Sequence, residues 1–328
     1  MLELIVIFGD MAGREIYIAI VRSECKIVRD REFDLEKVLE KKLAELDKYK
    51  NVRYELAAWD KPNDWEKFTH ILLGSGIDYA SHPEKFLTWL DNLPEIVSRR
   101  VLNSPDIIRW NMDKKYLLDL KNAGIKLPPT LFLDKNTKME PRAIINELKK
   151  EAKGEISAIV VKNRIDAGGF SSRKIKLEKV DVISEVEFKI IQEMQEATNS
   201  GLIIQDFLPR ISSEGEWSVL YFDRKISHGA IKKPCENDFR VQGRFGGTTV
   251  VVDIDKVPQD VLELSKNVID KVPQQEKLFY ARVDILRNME DEPCLIELEA
   301  FEPDLYYRNN HIIENFLTAI CDPKYSNI

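Results

Sequence analysis

The chain has 328 residues, 44% hydrophobic and 32% charged, which is enough for two domains with a sizeable core and excludes a fibrous or disordered class. A net charge of −7 with a pI near 5.4 argues against nucleic acid or an anionic membrane as the main partner, since both need clustered Lys and Arg. Cys25, Cys235, Cys294 and Cys321 lie far apart with no Cys-x-x-Cys pair, so no zinc site or disulfide framework is expected; with no membrane span or signal-peptide pattern, the expected location is the cytoplasm.

Residues 2–10, 15–22 and 25–33 read as three short strands joined by turns at Gly9–Gly13 and Arg22–Cys25, with no chemistry on them. After Asp34, a candidate N-cap, residues 35–50 repeat apolar side chains at helical spacing. Residues 52–60 and 69–74 read as buried strands around a loop holding Pro62, and a helix follows over about 83–93; strand and helix alternate, so an open α/β sheet is expected. Residues 103–124 read as a capped turn and then a helix from about Met112 that stops at Gly124, after which Pro128 and Pro129 force an extended exit into a strand at 131–133. A helix over 142–153, strands at 158–162 and 174–177 joined by a loop at 166–173, and an amphipathic helix over about 182–198 come next. Residues 202–208 are an apolar run interrupted by Gln205 and Asp206. Beyond them the pattern is mostly β: a hairpin of 216–223 and 225–232 turning at Asp223–Arg224, then 239–254, then a helix near 259–272.

Residues 280–286 and 294–300 alternate polar and apolar side chains around a turn-rich 287–293, the pattern of an antiparallel hairpin. Side chains two apart share a face, which puts Arg282 beside Asp284 and Glu297 beside Glu299. If the two polar faces coincide, three carboxylates converge, and such a cluster is stable only around a cation. Mg²⁺ suits it, taking carboxylate oxygens together with nucleotide phosphate oxygens that Arg282 can also clamp. The alternative is ordinary solvated charge on a hairpin face.

Gly168, Gly169, Ser171 and Ser172, in the loop joining two strands, let backbone N–H groups approach a phosphate, or simply make a turn. Lys162 ends the strand before that loop and Lys114 opens an earlier helix; each reaches a polyphosphate or stays solvated. Residues 240–247 add Arg240, Arg244 and a second Gly-Gly pair, an anion-binding composition or a mobile loop. His228 reads as a hydrogen-bonded hairpin residue rather than a base, and Cys235 as incidental.

Taken in order, Lys114, Lys162 with its Gly/Ser loop, 203–209, 215–229, 239–247 and the hairpin segment from Arg282 to Pro303 resemble the ATP-grasp superfamily of carboxylate ligases over about residues 54–308. The pattern is nearest the branch similar to prokaryotic glutathione synthetase and to the O-ureido-serine cyclo-ligase of cycloserine biosynthesis. That branch's leading segment resembles Asn103-x-Pro105 followed by Asn111-x-Asp113-Lys114-x-Tyr116-Leu117. The resemblance implies an α/β chain, α+β toward its C-terminus: an N-terminal substrate domain over 1–110 and an ATP-grasp domain over 111–328, the latter split into a lid at about 131–206 and a metal-bearing core at about 207–328. It implies that Lys114 and Lys162 contact nucleotide phosphates, that Gly168, Gly169, Ser171 and Ser172 form the phosphate loop, that the backbone of Gln205, Asp206, Phe207 and Leu208 reads adenine, and that Glu216 meets the ribose. Arg240 and Arg282 are then the catalytic pair, on the transferring phosphate or the substrate carboxylate, and Asp284, Glu297 and Glu299 hold two Mg²⁺, with Mn²⁺ as the alternative.

Two departures stand out. Glu299 occupies a place often filled by Asn in the superfamily, and Gly74 and Ile77 stand where the branch tends to carry Arg and Trp ahead of an Asp-Tyr pair, here Asp78–Tyr79. The implied reaction is phosphorylation of a substrate carboxylate by ATP and attack of an amine-type nucleophile on the acyl phosphate, releasing ADP and phosphate. The implied partners are ATP and a small carboxylate/amine pair, with no nucleic acid, no membrane and a homo-oligomer allowed. A ligase acting on a peptide or protein tail, and a nucleotide-binding regulatory protein without turnover, stay open as alternatives.

Overall fold

Residues 15–24, 35–74, 78–178 and 181–325 are described by the computed structural model, which places the strands in three sheets. The strands expected at 2–10 and 25–33, the cap Asp34 and the position of Ile77 lie outside the described residues. The first sheet comprises β1 (Ile16–Arg22), β2 (Val52–Ala58), β3 (His70–Leu73) and β4 (Val101–Leu102), all parallel in the order β2-β1-β3-β4. Parallel neighbours need crossovers, and the helix Pro83–Asp91 supplies the one from β3 to β4, burying Phe86 and Leu90. β1 is central and covered on both sides, with Ile18, Ala19, Ile20 and Val21 fully buried. The open α/β sheet is as expected.

The second sheet is antiparallel, β5 (Thr130–Leu133), β6 (Ala158–Asn163), β7 (Arg173–Lys176) and β8 (Leu202–Asp206), in the order β5-β8-β6-β7. The helices Pro141–Lys149 and Glu185–Ala197 cover it, and Ile144, Ile145, Leu148 and Ile191 share one apolar cluster with Ile159, Val161, Leu202 and Ile204. Ser184 and Glu187 form a capping box, which starts the second helix three residues later than its periodicity suggested.

The third sheet is also antiparallel, β9 (Glu216–Phe222), β10 (Lys225–Lys233), β11 (Thr248–Val252), β12 (Tyr280–Arg287) and β13 (Pro293–Glu299), in the order β11-β10-β9-β12-β13. Asp223 and Arg224 turn the β9–β10 hairpin with φ of 50° and 58°, the conformation a two-residue hairpin turn demands. A bulge at Ser227 then moves the pairing by one residue: Ile226 faces Tyr221, but His228 faces Leu220.

His228 is buried within hydrogen-bond distance of the Leu305 carbonyl (3.1 Å) and the Ser227 hydroxyl (3.0 Å), in agreement with a hairpin role. Burial pushes its pKa down to about 4, against the Leu305 carbonyl, so the folded state binds fewer protons than the unfolded one between pH 6.5 and 4. Stability is therefore expected to fall by about 3 kcal/mol as pH drops through that window and to level off below it. Urea melts of His228→Gln should show a correspondingly shallower acid dependence.

The segment 103–124 differs from expectation. It holds two helices, Pro105–Met112, with Pro105 in the favoured first position, and Tyr116–Asn122. The break falls at Asp113, which is extended (φ −101°, ψ 118°) because its carboxylate accepts the Lys115 N–H at the start of the second helix and pairs with Arg164. This segment also closes the outer edge of β13. Asn111 donates to the Leu298 carbonyl and accepts from the Ala300 N–H, the Tyr116 hydroxyl accepts from the Leu298 N–H, and Asn103 donates to the carbonyls of Tyr280 and Ala300. Among the described residues no helix is long and apolar enough to cross a membrane.

Candidate active site

In the β12–β13 register Arg282 faces Glu299 and Asp284 faces Glu297, so the polar faces of the two strands coincide. Oxygens of Asp284, Glu297 and Glu299 lie within 4.8 Å of one another, on the wall of a cavity of about 1120 Å³. Asp284 is the most enclosed: it accepts from Ser218 (2.6 Å) and from the Arg282 fork (3.0 Å), and Lys232 Nζ lies 3.0 Å away. Burial would push its carboxyl up, but the charges of Arg282 and Lys232 hold it well below the usual carboxylate range. Glu297 is likewise lowered, by Lys114 (3.2 Å) and Lys162 acting against burial. Glu299 goes the other way, pushed up to about 7 by burial and by the neighbouring Glu297 and Asp284 despite its ion pair with Arg282. The donor set is three oxygen-bearing side chains whose mutual repulsion is already felt at Glu299, which fits a hard divalent cation.

Lys232 is a site residue that the sequence reading missed. It is buried, lines the cavity and pairs with both Glu216 and Asp284. An unbroken two-residue hairpin would set Ile231 opposite Glu216; the bulge at Ser227 puts Lys232 there instead and turns its ammonium to the carboxylate face. Glu216 is thus enclosed by an ion pair, its pKa raised chiefly by burial.

Lys114 Nζ donates to the Asp166 carbonyl (2.8 Å) besides pairing with Glu297, and these negative neighbours outweigh burial and keep it a firm cation. Lys162, on β6, is half-buried and donates to Gln205 Oε1 (3.3 Å), while burial and Lys114 lower its pKa against the pull of Glu297. Gln205 in turn donates to Thr130 Oγ1 (3.1 Å). Beside it Asp206, Phe207 and Leu208 line the cavity, with burial pushing Asp206 up to about 6. An apolar slot of Val160, Phe207, Leu208, Ile211 and Leu286 flanks them.

Gly168 and Gly169 sit at the roof with φ of 69° and 73°, and a Cβ on them would come within 3.0 Å of the Arg244 guanidinium and 3.1 Å of the Gln242 amide. The two glycine-rich loops therefore meet. Ser172 lines the cavity, whereas the Ser171 hydroxyl accepts from the Asn163 N–H (3.3 Å) at the end of β6. Arg240 also lines it, held by Asp238 (2.8 Å) with its guanidinium 3.6 Å from the centre of the Phe245 ring. The lining also includes Asp78 and Tyr79 from the turn between β3 and the helix Pro83–Asp91, where the Tyr79 hydroxyl donates to the Asp166 carbonyl (3.3 Å).

A family model described as the N-terminal domain of D-cycloserine synthetase DcsG matches residues 18–103. The chain is 23% identical over 262 residues to the cycloserine biosynthesis protein DcsG of Streptomyces lavendulae, covering 76% of this chain and 82% of that one. The crystal structure of D-cycloserine synthetase DcsG superposes with a TM-score of 0.72 at 20% identity, covering 93% of this chain and 99% of the other. D-alanyl-alanine synthetase A of Vibrio cholerae gives 0.64 at 14% identity over 97% and 100% of the two chains. The ATP-grasp ligase PsnB, complexed with minimal precursor, Mg and ADP, gives 0.55 at 14% identity over 95% and 98%. Superposition along nearly the whole of both chains means that this chain has the ATP-grasp fold.

Proposed function

We propose that the protein is an ATP- and Mg²⁺-dependent ligase that activates a substrate carboxylate as an acyl phosphate and joins it to an amine-type nucleophile, releasing ADP and phosphate. The observation that carries this is the convergence of Asp284, Glu297 and Glu299 within 4.8 Å on the wall of a cavity that Lys114, Lys162, Lys232 and Arg282 also line. Glu216 with those three acids makes four carboxylates, matched by those four cations, so this cluster, taken apart from the rest of the lining, is close to neutral. A neutral cluster favours a neutral occupant, and ATP near charge −4 with two divalent ions is one. This supports two Mg²⁺ ions; Mn²⁺, which takes the same oxygen donors, is the second choice.

In this reading residues 1–110 form the substrate domain and 111–328 the ATP-grasp domain, whose lid at about 131–206 carries the β5–β8 sheet. The apolar slot beside Gln205, Asp206, Phe207 and Leu208 takes the adenine, and Glu216 the ribose. Lys114 and Lys162 bind the phosphates under the backbone N–H groups of Gly168, Gly169 and Ser172, with Ser171 bracing that loop. Bound Mg²⁺ supplies charge neutralisation at the phosphate oxygens. Arg282 and Lys232 hold the transferring phosphoryl and the acyl oxygen, and Arg240 moves from Asp238 to the substrate carboxylate. No side chain acts as nucleophile, so rate comes from positioning and electrostatics. The cytoplasm is the proposed location.

The test is MgATP-dependent ADP release with pooled amino acids, dipeptides and amine-bearing metabolites, set beside a pool of peptides. Release with a small-molecule pool supports the reading; release with peptides alone moves it to tail modification, a role PsnB's complex with its precursor makes the specific second choice. Lys162→Ala is expected to weaken MgATP binding by about tenfold or more while leaving the melting temperature nearly unchanged, because burial already works against its charge. Calorimetric titration of the variant with MgATP checks this, and an unaltered affinity removes Lys162 from the phosphate site.

A further inference from the structure

Arg164 has no role in the reaction as described, yet it sits where the lid sheet meets the segment carrying Lys114. It is 7% exposed, and its guanidinium makes three directed bonds: Nε to Asp113 Oδ1 (2.9 Å), Nη2 to Asp113 Oδ2 (2.5 Å) and Nη1 to Asp134 Oδ1 (2.5 Å). The Asp113 contact is bidentate, the geometry that fixes orientation as well as distance. Asp113 immediately precedes Lys114, and Asp134 follows the end of β5.

Its main chain is committed too. The Arg164 carbonyl accepts from the Lys114 N–H (3.0 Å), and the Arg164 N–H donates to the Gly201 carbonyl (3.0 Å) just before β8. Gly201 has φ +112°, and a Cβ there would fall 2.3 Å from the Leu133 carbonyl, so β5 and β8 are pressed together at this point. Lys162 lies two residues before Arg164 on β6, and the Asp166 carbonyl that receives Lys114 Nζ lies two residues after it. Lys114 is thereby held at its backbone by Arg164, at its preceding carboxylate by the same residue, and at its ammonium by Asp166.

We propose that Arg164 is the positioning residue that fixes Lys114 relative to Lys162, and so sets the spacing of the polyphosphate site. It touches no reacting atom and acts through the two lysines. The proposal rests on the nucleotide reading above and adds a residue to it. It also predicts a signature that a bracing role alone lacks. Lys114 and Lys162 meet phosphates and not the base, so loosening their spacing weakens nucleotides and spares the nucleoside.

The experiment is calorimetric titration of wild type, Arg164→Met, Arg164→Lys and Asp113→Asn with MgATP, MgADP and adenosine, alongside thermal melts. Arg164→Met is expected to lose about tenfold in MgATP and MgADP affinity with adenosine affinity unchanged. Asp113→Asn, which loosens the same fork from the other side, should give the same pattern, and Arg164→Lys, which keeps the charge without the fork, should recover only part of the loss. Should Arg164→Met fail to fold, Asp134→Asn, which removes one bond at a mostly exposed partner, carries the test with about a twofold phosphate-selective loss. Lower melting temperature with unchanged MgATP affinity, or equal weakening of MgATP and adenosine, overturns the proposal. Wild type that binds no MgATP overturns the nucleotide reading itself, and this inference with it.

Discussion

Glu297→Gln is expected to reduce MgATP-dependent ADP release by about a thousandfold, the scale seen when one preorganised charge contact at a transition state is lost. The substitution keeps the side chain's shape and an acceptor for Lys114 Nζ, which lies 3.2 Å away, but removes the negative charge shared with Asp284 and Glu299. Folding should be little affected, because Lys114 retains the Asp166 carbonyl at 2.8 Å. Asp284→Asn is the poorer probe. Asp284 is 2% exposed and neutralises Arg282 and Lys232 together, so the variant leaves two enclosed cations short of a partner and is expected to lose about 3–5 kcal/mol of stability. Activity in Asp284→Asn would therefore report unfolding as much as chemistry. Steady-state ADP release and a melting curve on the same Glu297→Gln sample separate the two, and wild-type turnover there would remove Glu297 from the proposed metal site.

The second large effect is on stability. Asn103 is fully buried and makes four hydrogen bonds, donating to the carbonyls of Tyr280 (2.9 Å) and Ala300 (2.7 Å) and accepting from the N–H groups of Phe279 (2.5 Å) and Tyr280 (3.1 Å). Asn103→Ala leaves these backbone groups without partners where water cannot reach, and the expected cost is about 3–5 kcal/mol. Denaturant titration measures it directly. A loss below about 1 kcal/mol would mean that the hairpin and the Asn103 segment rearrange to pair among themselves.

How much of this was legible beforehand depended on sequence distance. The hairpin from Tyr280 to Glu299 was readable because its alternation is local, and the facing of Asp284 with Glu297 follows from strand geometry once the two strands pair. Lys162 and the Gly168–Gly169 loop were readable as a strand end followed by turn residues. Lys232 was not, since one extra residue at Ser227 reverses which face it presents, and nothing nearby in the sequence announces a bulge. The helix Pro105–Met112 reads as a turn for a related reason: what separates it from the next helix is Asp113 reaching Arg164, 51 residues away. The resemblance places Ser171 in the phosphate loop, and only the folded loop reveals that its hydroxyl serves the Asn163 N–H. Asn103, Asn111 and Tyr116 stood out as a pattern before their purpose was visible, because the carbonyls and N–H groups they serve lie more than 170 residues along the chain.

That last arrangement bears on how copies of the protein meet. β13 is an outermost strand, and an outermost strand is ordinarily a template on which another chain can extend the sheet, whether in a functional dimer or in a deposit. Here the outward-facing groups of Leu298 and Ala300 are occupied by side chains of the protein itself, and the Leu295 N–H by the Lys126 carbonyl. The strand that carries Glu297 and Glu299 is thus sealed against sheet-to-sheet growth, so self-association that leaves the fold intact has to use other surfaces and cannot distort the carboxylates by recruiting their strand.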